Sequence, residues 1–472
     1  MSAYLKCLIQ TYSLPLTILL CAGLNCTAVM ASDSYDPFST EANLSQPLLQ
    51  PCTSLQIEST LNLLSVVNIA LCKNPGTHET WANTRAQAAQ VGINVANYLP
   101  NLNLNATDTH NLPGNIQRTV NLSMSYLLYD FGARAANLES AEQLLLSVLA
   151  AHDSAIQALF LATVQAFYQV HATQAALDAS IVSEHAAQAS FSAANAKYLA
   201  GSTTPADKLI AKTAYSQAIL NRITAYGAMK ISRGVLANLL GLDADHNLVL
   251  SDVSTFQQKG DLLKPQTEIF QNLEQNIAQL IETARKTRPD LQAAEATLNS
   301  AKALADAARA TGKPTISLNA LNTASKSGGI NTQGASLGMS LSVPLFSGYA
   351  PTYRIRAAEA QIDAKTAQRD KLRLQVALDV WNACQNLNTA AQNLSATEDL
   401  LFSAEQSELV ALGRYRAGVG IMLDLLNAQS VLASARQQRI QAVLNWNITR
   451  VILAQTMGNL NAAFLKSFAL AN

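Results

Sequence analysis

The sequence predicts a mainly α-helical fold with membrane β-strands, assembled from two tandem copies of one helix–strand–strand–helix unit. Three observations carry this. The chain matches itself at a nearly constant offset, each copy holds two segments of strict alternation, and each continues into a helical run far longer than a globular helix.

The self-match keeps its landmarks in order. Asn74-Pro75 answers Arg288-Pro289 and Leu99-Pro100 answers Lys313-Pro314, both at an offset of 214 residues. Phe131 answers Phe346. Lys197-Tyr198-Leu199-Ala200-Gly201 then answers Arg414-Tyr415-Arg416-Ala417-Gly418, Asp207 answers Asp424, and Leu240-Gly241 answers Met457-Gly458, all at 217. Coincidence in an Ala/Leu-rich chain would not keep Pro, Gly, Tyr and Asp in register.

In chain order, residues 1–31 read as a secretory signal peptide. Lys6 gives a weak positive start, Leu14 to Leu24 an apolar run interrupted by Pro15, and Val29-Met30-Ala31 a small-residue cleavage site before Ser32. An N-terminal segment (32–59), repeat 1 (60–250), a linker (251–272), repeat 2 (273–460) and a C-terminal tail (461–472) follow. Past the signal, no stretch holds the roughly 18 to 20 uninterrupted apolar residues of a spanning helix, which leaves strands as the route into a bilayer.

Of six cysteines, three fall in the signal and Cys384 stands alone in a helical stretch. Cys52 and Cys72 remain. In an oxidising compartment, and with no histidine cluster beside them, they read as a disulfide rather than a metal or redox pair. With 14% charged residues and a formal net charge of zero, the chain lacks the basic excess of a nucleic-acid binder.

Each copy opens with a helical stretch, Leu63 to Asn97 and Ile277 to Ala310, broken early at Asn/Arg-Pro and closed by a proline. Two strands come next, about 100–108 and 118–129 in the first copy, about 314–322 and 334–345 in the second. Val120, Leu122, Met124, Tyr126 and Leu128 alternate with Asn121, Ser123, Ser125 and Leu127. Leu337, Met339, Leu341, Val343 and Leu345 do the same in the second copy. A half-buried soluble sheet would alternate likewise, but here the polar face is Asn, Ser and Gly with few charges. That face suits a water-filled interior. Four strands cannot close a barrel, since the smallest have about eight, so the chain must associate with copies of itself.

After Gly132 and Gly348 begin helical runs of roughly sixty to seventy residues, about 100 Å at 1.5 Å per residue. In the second, Val376, Val380, Ala383, Leu387, Ala390 and Leu394, then Leu401 and Ala404 after a polar Thr397, fall at alternating spacings of four and three, a heptad seam. In the first, Ile156, Thr163, Val170 and Leu177 repeat every seven, paired with Phe160, Phe167, Gln174 and Ile181. Both runs turn at unequal tips, Ala200 to Pro205 and Ala417 to Gly420. Helices then resume with Asp207 and Asp424 in the first turn, where a carboxylate suits the helix dipole or serves a function.

In this order and spacing the chain resembles the TolC family of outer-membrane efflux and secretion ducts, over about residues 60–460. The carriers are the repeat, Tyr129-Asp130-Phe131-Gly132 and Pro344-Leu345-Phe346-Ser347-Gly348 at the strand–helix junctions, and Arg414-Tyr415-Arg416-Ala417-Gly418 followed by Asp424-Leu425-Leu426-Asn427. The resemblance implies a homotrimer whose twelve strands, four per chain, form a barrel in outer-membrane lipid, continued by a helical coiled-coil barrel across the periplasm. It implies a gate at the periplasmic tip, near Tyr198, Asp207, Arg414, Tyr415, Asp424 and Asn427. It also implies two partners: a periplasmic adaptor protein and an inner-membrane transporter of RND, MFS or ABC type. Members carry Asp-x-x-Asp at the constriction. Here Asp424 is followed by Asn427, and Gly420 stands where some members place a basic residue, so one ring of carboxylates replaces two.

No catalytic set, metal site or cofactor is expected, because the six histidines stand at scattered positions and no phosphate loop or hydrolase elbow occurs. The reading is a passive exit duct rather than an enzyme. An exported coiled-coil adaptor is the alternative, though its strands would not be duplicated end to end.

Overall fold

The computed structural model describes residues 36–41, 44, 60–111, 114–251 and 267–460. The signal, Cys52 and the C-terminal tail lie outside them. The chain divides into two compact units, Met1–Ser45 and Gln46–Asn472. In the first, Asp36 closes a turn by accepting the Glu41 N–H at 2.8 Å. The second holds both repeats.

Repeat 1 runs α1 (Leu63–Lys73), α2 (Pro75–Ala96), β1 (Asn101–Asn111), β2 (Asn115–Tyr129), α3 (Ala133–Leu199) and α4 (Pro205–Leu239). Repeat 2 runs α5 (Thr267–Thr287), α6 (Pro289–Ala310), β3 (Thr315–Ser327), β4 (Ile330–Ser342), α7 (Ala350–Arg416) and α8 (Met422–Thr456). The last three helices of each copy have the same lengths, 22, 67 and 35 residues. Pro75 and Pro289 sit at the first helical position, where a missing N–H costs nothing. The preceding Asn74 accepts the Gly76 N–H at 2.8 Å and donates to the Leu239 carbonyl at 3.0 Å, which docks α2 against the end of α4. Helix α5 begins inside the segment read as linker, because the apolar period of Ile277, Leu280, Ile281 and Ala284 extends back through Leu273 and Phe270 in the sequence.

All four long helices end in one motif. A glycine with positive φ (Gly201 71°, Gly241 70°, Gly418 79°, Gly458 69°) follows each C-cap. The next N–H returns to a carbonyl five residues back, as from Ser202 to Lys197 at 2.9 Å and Val419 to Arg414 at 3.1 Å. The glycine landmarks of the duplication are thus Schellman caps. Two also mark close packing. A Cβ on Gly241 would lie 2.5 Å from the Lys73 carbonyl oxygen, and one on Gly458 would lie 2.9 Å from that of Thr287, the equivalent residue in repeat 2.

The main core forms where α1 is wedged against the middle of α3, with Val66, Val67 and Ile69 meeting Phe160, Val164, Phe167 and Val170, and with Leu236 of α4 and Val443 and Val451 of α8. Burying one such side chain contributes about 1.5–3 kcal/mol. A parallel bridge, the Leu61 N–H to the Val249 carbonyl at 2.8 Å, ties the two ends of repeat 1 together. Every apolar seam residue from Val376 to Ala404 is buried, and the polar Thr397 among them is half-buried. In the first copy Ile156, Phe160, Thr163, Phe167, Val170 and Leu177 are buried, while Gln174 and Ile181 are half-buried. By length and composition α3 is apolar enough to cross a membrane, with a mean hydropathy of 1.6 over 18 residues. That departs from the expectation of no such helix. Phe160, Val164, Phe167 and Val170 go into the core, but only 28% of that apolar window is buried within the single chain, which leaves most of it open to neighbouring copies or solvent.

The strands form one antiparallel sheet in the order β1-β2-β3-β4, so the hairpins of the two copies pair through β2 and β3. The ladders run further than the apolar alternation. Main-chain bonding continues to Asn111 and back from Asn115 although Thr107 to His110 are polar.

Candidate functional site

The two helical hairpins meet at their tips. Tyr415, in the last turn of α7, packs with Ala194 of α3, Ala211 of α4 and Met422, Leu425 and Leu426 of α8. Lys197 reaches across from α3. Its ammonium donates to the Tyr415 carbonyl at 3.2 Å and lies 3.9 Å from the centre of the Tyr415 ring. Burial, and secondarily the Asp207 carboxylate, raises the Tyr415 hydroxyl above the ordinary tyrosine range. Lys197 was not among the residues singled out from sequence. The signal was there, since Lys197 is the repeat-1 counterpart of Arg414.

The tips differ in how their second helices start. Thr204 caps α4 by accepting the Asp207 N–H at 3.4 Å, and the Asp207 carboxylate accepts Thr203 Oγ1–H at 2.5 Å and Thr204 Oγ1–H at 3.2 Å. Those hydroxyls, Thr203 first, hold the Asp207 carboxyl below the usual aspartate range. Helix α8 has no such cap, for Ile421 at its N-cap offers no side-chain acceptor. Gly420 lies tight against the turn: a Cβ there would stand 3.0 Å from Arg414 Cβ. A side chain at that position would require the turn itself to move.

Asp424 and Asn427 stand on the exposed face of α8, opposite Leu425 and Leu426. Arg414 is exposed as well. Tyr198 is partly exposed, with the Lys208 ammonium 4.8 Å from its ring centre. The structure therefore joins Tyr415 to the Asp207 side of the first hairpin and leaves Asp424, Asn427 and Arg414 facing outward in the single chain.

At the other end of the helices, Gly132 (φ 91°) and Gly348 (φ 64°) turn strand into helix. The Asp130 carboxylate holds the first junction, accepting the Arg134 N–H at 2.8 Å and its Nε–H at 3.1 Å. The sheet beyond is two-faced. Leu104, Leu122, Ala320 and Leu337 share one face through the register, and Ser123, Asn319, Ser317 and Ser340 share the other, where Asn319 donates to Ser340 Oγ at 3.0 Å. A bulge between Leu127 and Tyr129 brings Tyr129 back onto the apolar face opposite Ile316. That face is bare: Leu104 is 69% exposed, Leu337 74% and Met339 73%.

Cys72, at the end of α1, is disulfide-bonded, and Cys384 is free and buried. Among the described residues no cluster of three or more His, Cys, Asp or Glu is placed to hold a metal.

Comparison with known proteins accounts for this architecture. A family model described as outer membrane efflux protein matches residues 66–242 and again 280–459, once per copy. Protein CyaE of Bordetella pertussis is 30% identical over 392 residues, covering 80% of each chain. Nodulation protein T of Rhizobium leguminosarum bv. trifolii is 25% identical over 414 residues, covering 84% of this chain and 85% of its own. The solved structure of the outer-membrane channel OprN superposes with a TM-score of 0.72, covering 84% of this chain and 90% of that one; at 21% identity it speaks for the fold. Matched twice along its length, on the two copies that its own sequence reveals, the chain belongs to the outer membrane efflux protein family.

Proposed function

We propose that three copies of this chain pair β4 of one with β1 of the next, closing a twelve-stranded barrel that opens into one continuous helical tunnel. Family membership makes the chain an exit duct of the outer membrane that extends into the periplasm. The observation that carries the trimer reading is the open sheet, with an exposed apolar face, an Asn/Ser/Gly face opposite, and two unpaired edges. Bare strand edges invite pairing with another chain, and only closure removes them. The duct works without catalysis or cofactor. An inner-membrane transporter of RND, MFS or ABC type supplies the energy, and a periplasmic adaptor joins the two. Purified in mild detergent, the protein should run as a heat-sensitive trimer and resist carbonate extraction. A monomeric mass, or release by carbonate, would overturn this reading.

The tip acts as the gate. Capping by Thr204 and Asp207 steadies the first hairpin, whereas the uncapped second is held through Tyr415 and Lys197, so opening moves the second hairpin more. Three copies of Asp424 ring the mouth and draw cations toward it, with Asn427 adding no charge. In bilayer recordings Asp424→Ala should weaken block by divalent cations severalfold. Unchanged block would return Asp424 to a helix-dipole role. We assign Cys52 as the disulfide partner of Cys72; peptide mapping without reductant would expose any other pairing.

A further inference from the structure

The apolar face of the sheet ends in charge. On β2 that face runs Tyr129, Tyr126, Met124, Leu122, Val120 and then Arg118, and on β3 it runs Ile316, Leu318, Ala320, Asn322, Ala324 and then Lys326. Arg118 and Lys326 are direct cross-strand partners. On the far side of Arg118 its β1 partner Asp108 accepts the Arg118 Nε–H at 3.2 Å, with His110 Nε2 3.6 Å from the other carboxylate oxygen. Beyond Lys326 stands only the neutral Asn331. Arg118 thus has a carboxylate beside it, whereas among the described residues Lys326 has no acidic partner.

At the opposite end of the sheet, beyond Tyr129 on that face, aromatics gather. Tyr129 and Phe131 meet edge to face at 4.8 Å, and Phe346 and Tyr349 do so at 5.6 Å, at the junctions to the helices. Such a girdle marks a membrane interface. From Tyr129 to Arg118 the strand climbs eleven residues, about 36 Å at 3.3 Å each, or about 26 Å when tilted by 45°. That equals the apolar band of about 25 Å around outer-membrane barrels. With the aromatic girdle at the helix-side surface, Arg118 and Lys326 stand at headgroup level on the other surface, facing lipid.

Like charges directly opposite on neighbouring strands repel, and an anion between them removes that penalty. We propose that Arg118 and Lys326 together bind the phosphate of an anionic lipid headgroup in the outer leaflet, once per chain. This rests on the barrel reading above. The guanidinium fork suits two phosphate oxygens and the ammonium takes a third, while the apolar strands below receive the acyl chains. Asp108 opposes binding by competing for Arg118.

The test is native mass spectrometry of the detergent-purified full-length protein, titrated with dioleoyl phosphatidic acid, dioleoyl phosphatidylcholine or inorganic phosphate. Retention of phosphatidic acid over phosphatidylcholine should be at least about fivefold, the worth of one cation near an anionic surface. Arg118→Gln with Lys326→Gln should erase the preference, and Asp108→Asn should increase it. Equal retention of both lipids by the native trimer, or a preference surviving in the double variant, would overturn the proposal while leaving the barrel standing. Displacement of the lipid by equimolar inorganic phosphate would also overturn it, in favour of a site for free anions. If the double variant fails to assemble, Asp108→Asn decides, and unchanged or weaker retention counts against the site. A monomeric native mass overturns barrel and site together.

Discussion

Replacing Tyr415 by alanine should spring the tip open. The ring is 7% exposed, sits among Ala194, Ala211, Met422, Leu425 and Leu426, and carries the Lys197 ammonium on its face. Truncating a buried aromatic costs about 3–5 kcal/mol; the contacts to Ala194, Ala211 and Lys197 cross between the hairpins and are made only while these are together, whereas those to α8 lie within its own hairpin. If about half of the lower figure falls on the contacts that cross between the hairpins, a closed state weakened by about 1.5 kcal/mol shifts the closed-to-open ratio by roughly tenfold per chain. Single-channel conductance of the purified protein in planar bilayers should rise severalfold. Tyr415→Phe keeps the ring and the Lys197 contacts, so it should stay near the native value; if it opens as far as Tyr415→Ala, the hydroxyl rather than the packing holds the gate. A native conductance in Tyr415→Ala would show that the tip is closed by something else.

The second large effect lies far from the gate. Gly241→Ala should cost about 2–5 kcal/mol. Positive φ in an L-residue contributes about 1–2 kcal/mol of this, and overpacking against the Lys73 carbonyl about 1–3. The added Cβ would start 2.5 Å from that oxygen, on a backbone that α1 and α2 hold on both sides. Gly201 is the control. Its φ, 71°, is within a degree of Gly241's, and it has the same Schellman role, but nothing within 4 Å of its Cβ direction, so alanine there should cost only the conformational part, about 1–2 kcal/mol. Melting temperatures of the two variants in detergent separate the terms. Equal losses would mean that the Lys73 contact relaxes freely.

Where the sequence carried a period, it was legible. The apolar heptad positions from Val376 to Ala404 are all buried, with only the polar Thr397 half-exposed, and the alternation around Val120 and Leu337 assigns both faces of the sheet. A period names a face but not a neighbour. Nothing in β2 says that it pairs with β3, about two hundred residues away, and nothing in Lys197 says that it meets Tyr415. The bulge before Tyr129 shifts the alternation by one residue, so Leu128 reads as part of the apolar face when Tyr129 takes that place. The strand end at Thr109 to Asn111 lies beyond the predicted strand because main-chain hydrogen bonds hold it, and main-chain bonding leaves no mark in side-chain polarity.

The unequal tips carry a genetic consequence. In the proposed trimer the wall has six near-equivalent hairpins, three of each kind, because the two copies are encoded separately within one gene. A substitution at Tyr415 therefore touches three positions around the mouth and leaves the three Tyr198 positions native. A tract with a single copy per chain would have to change all six at once. Duplication lets one half of the mouth vary, by Asn427 or Gly420, while the capped half keeps the tunnel in shape.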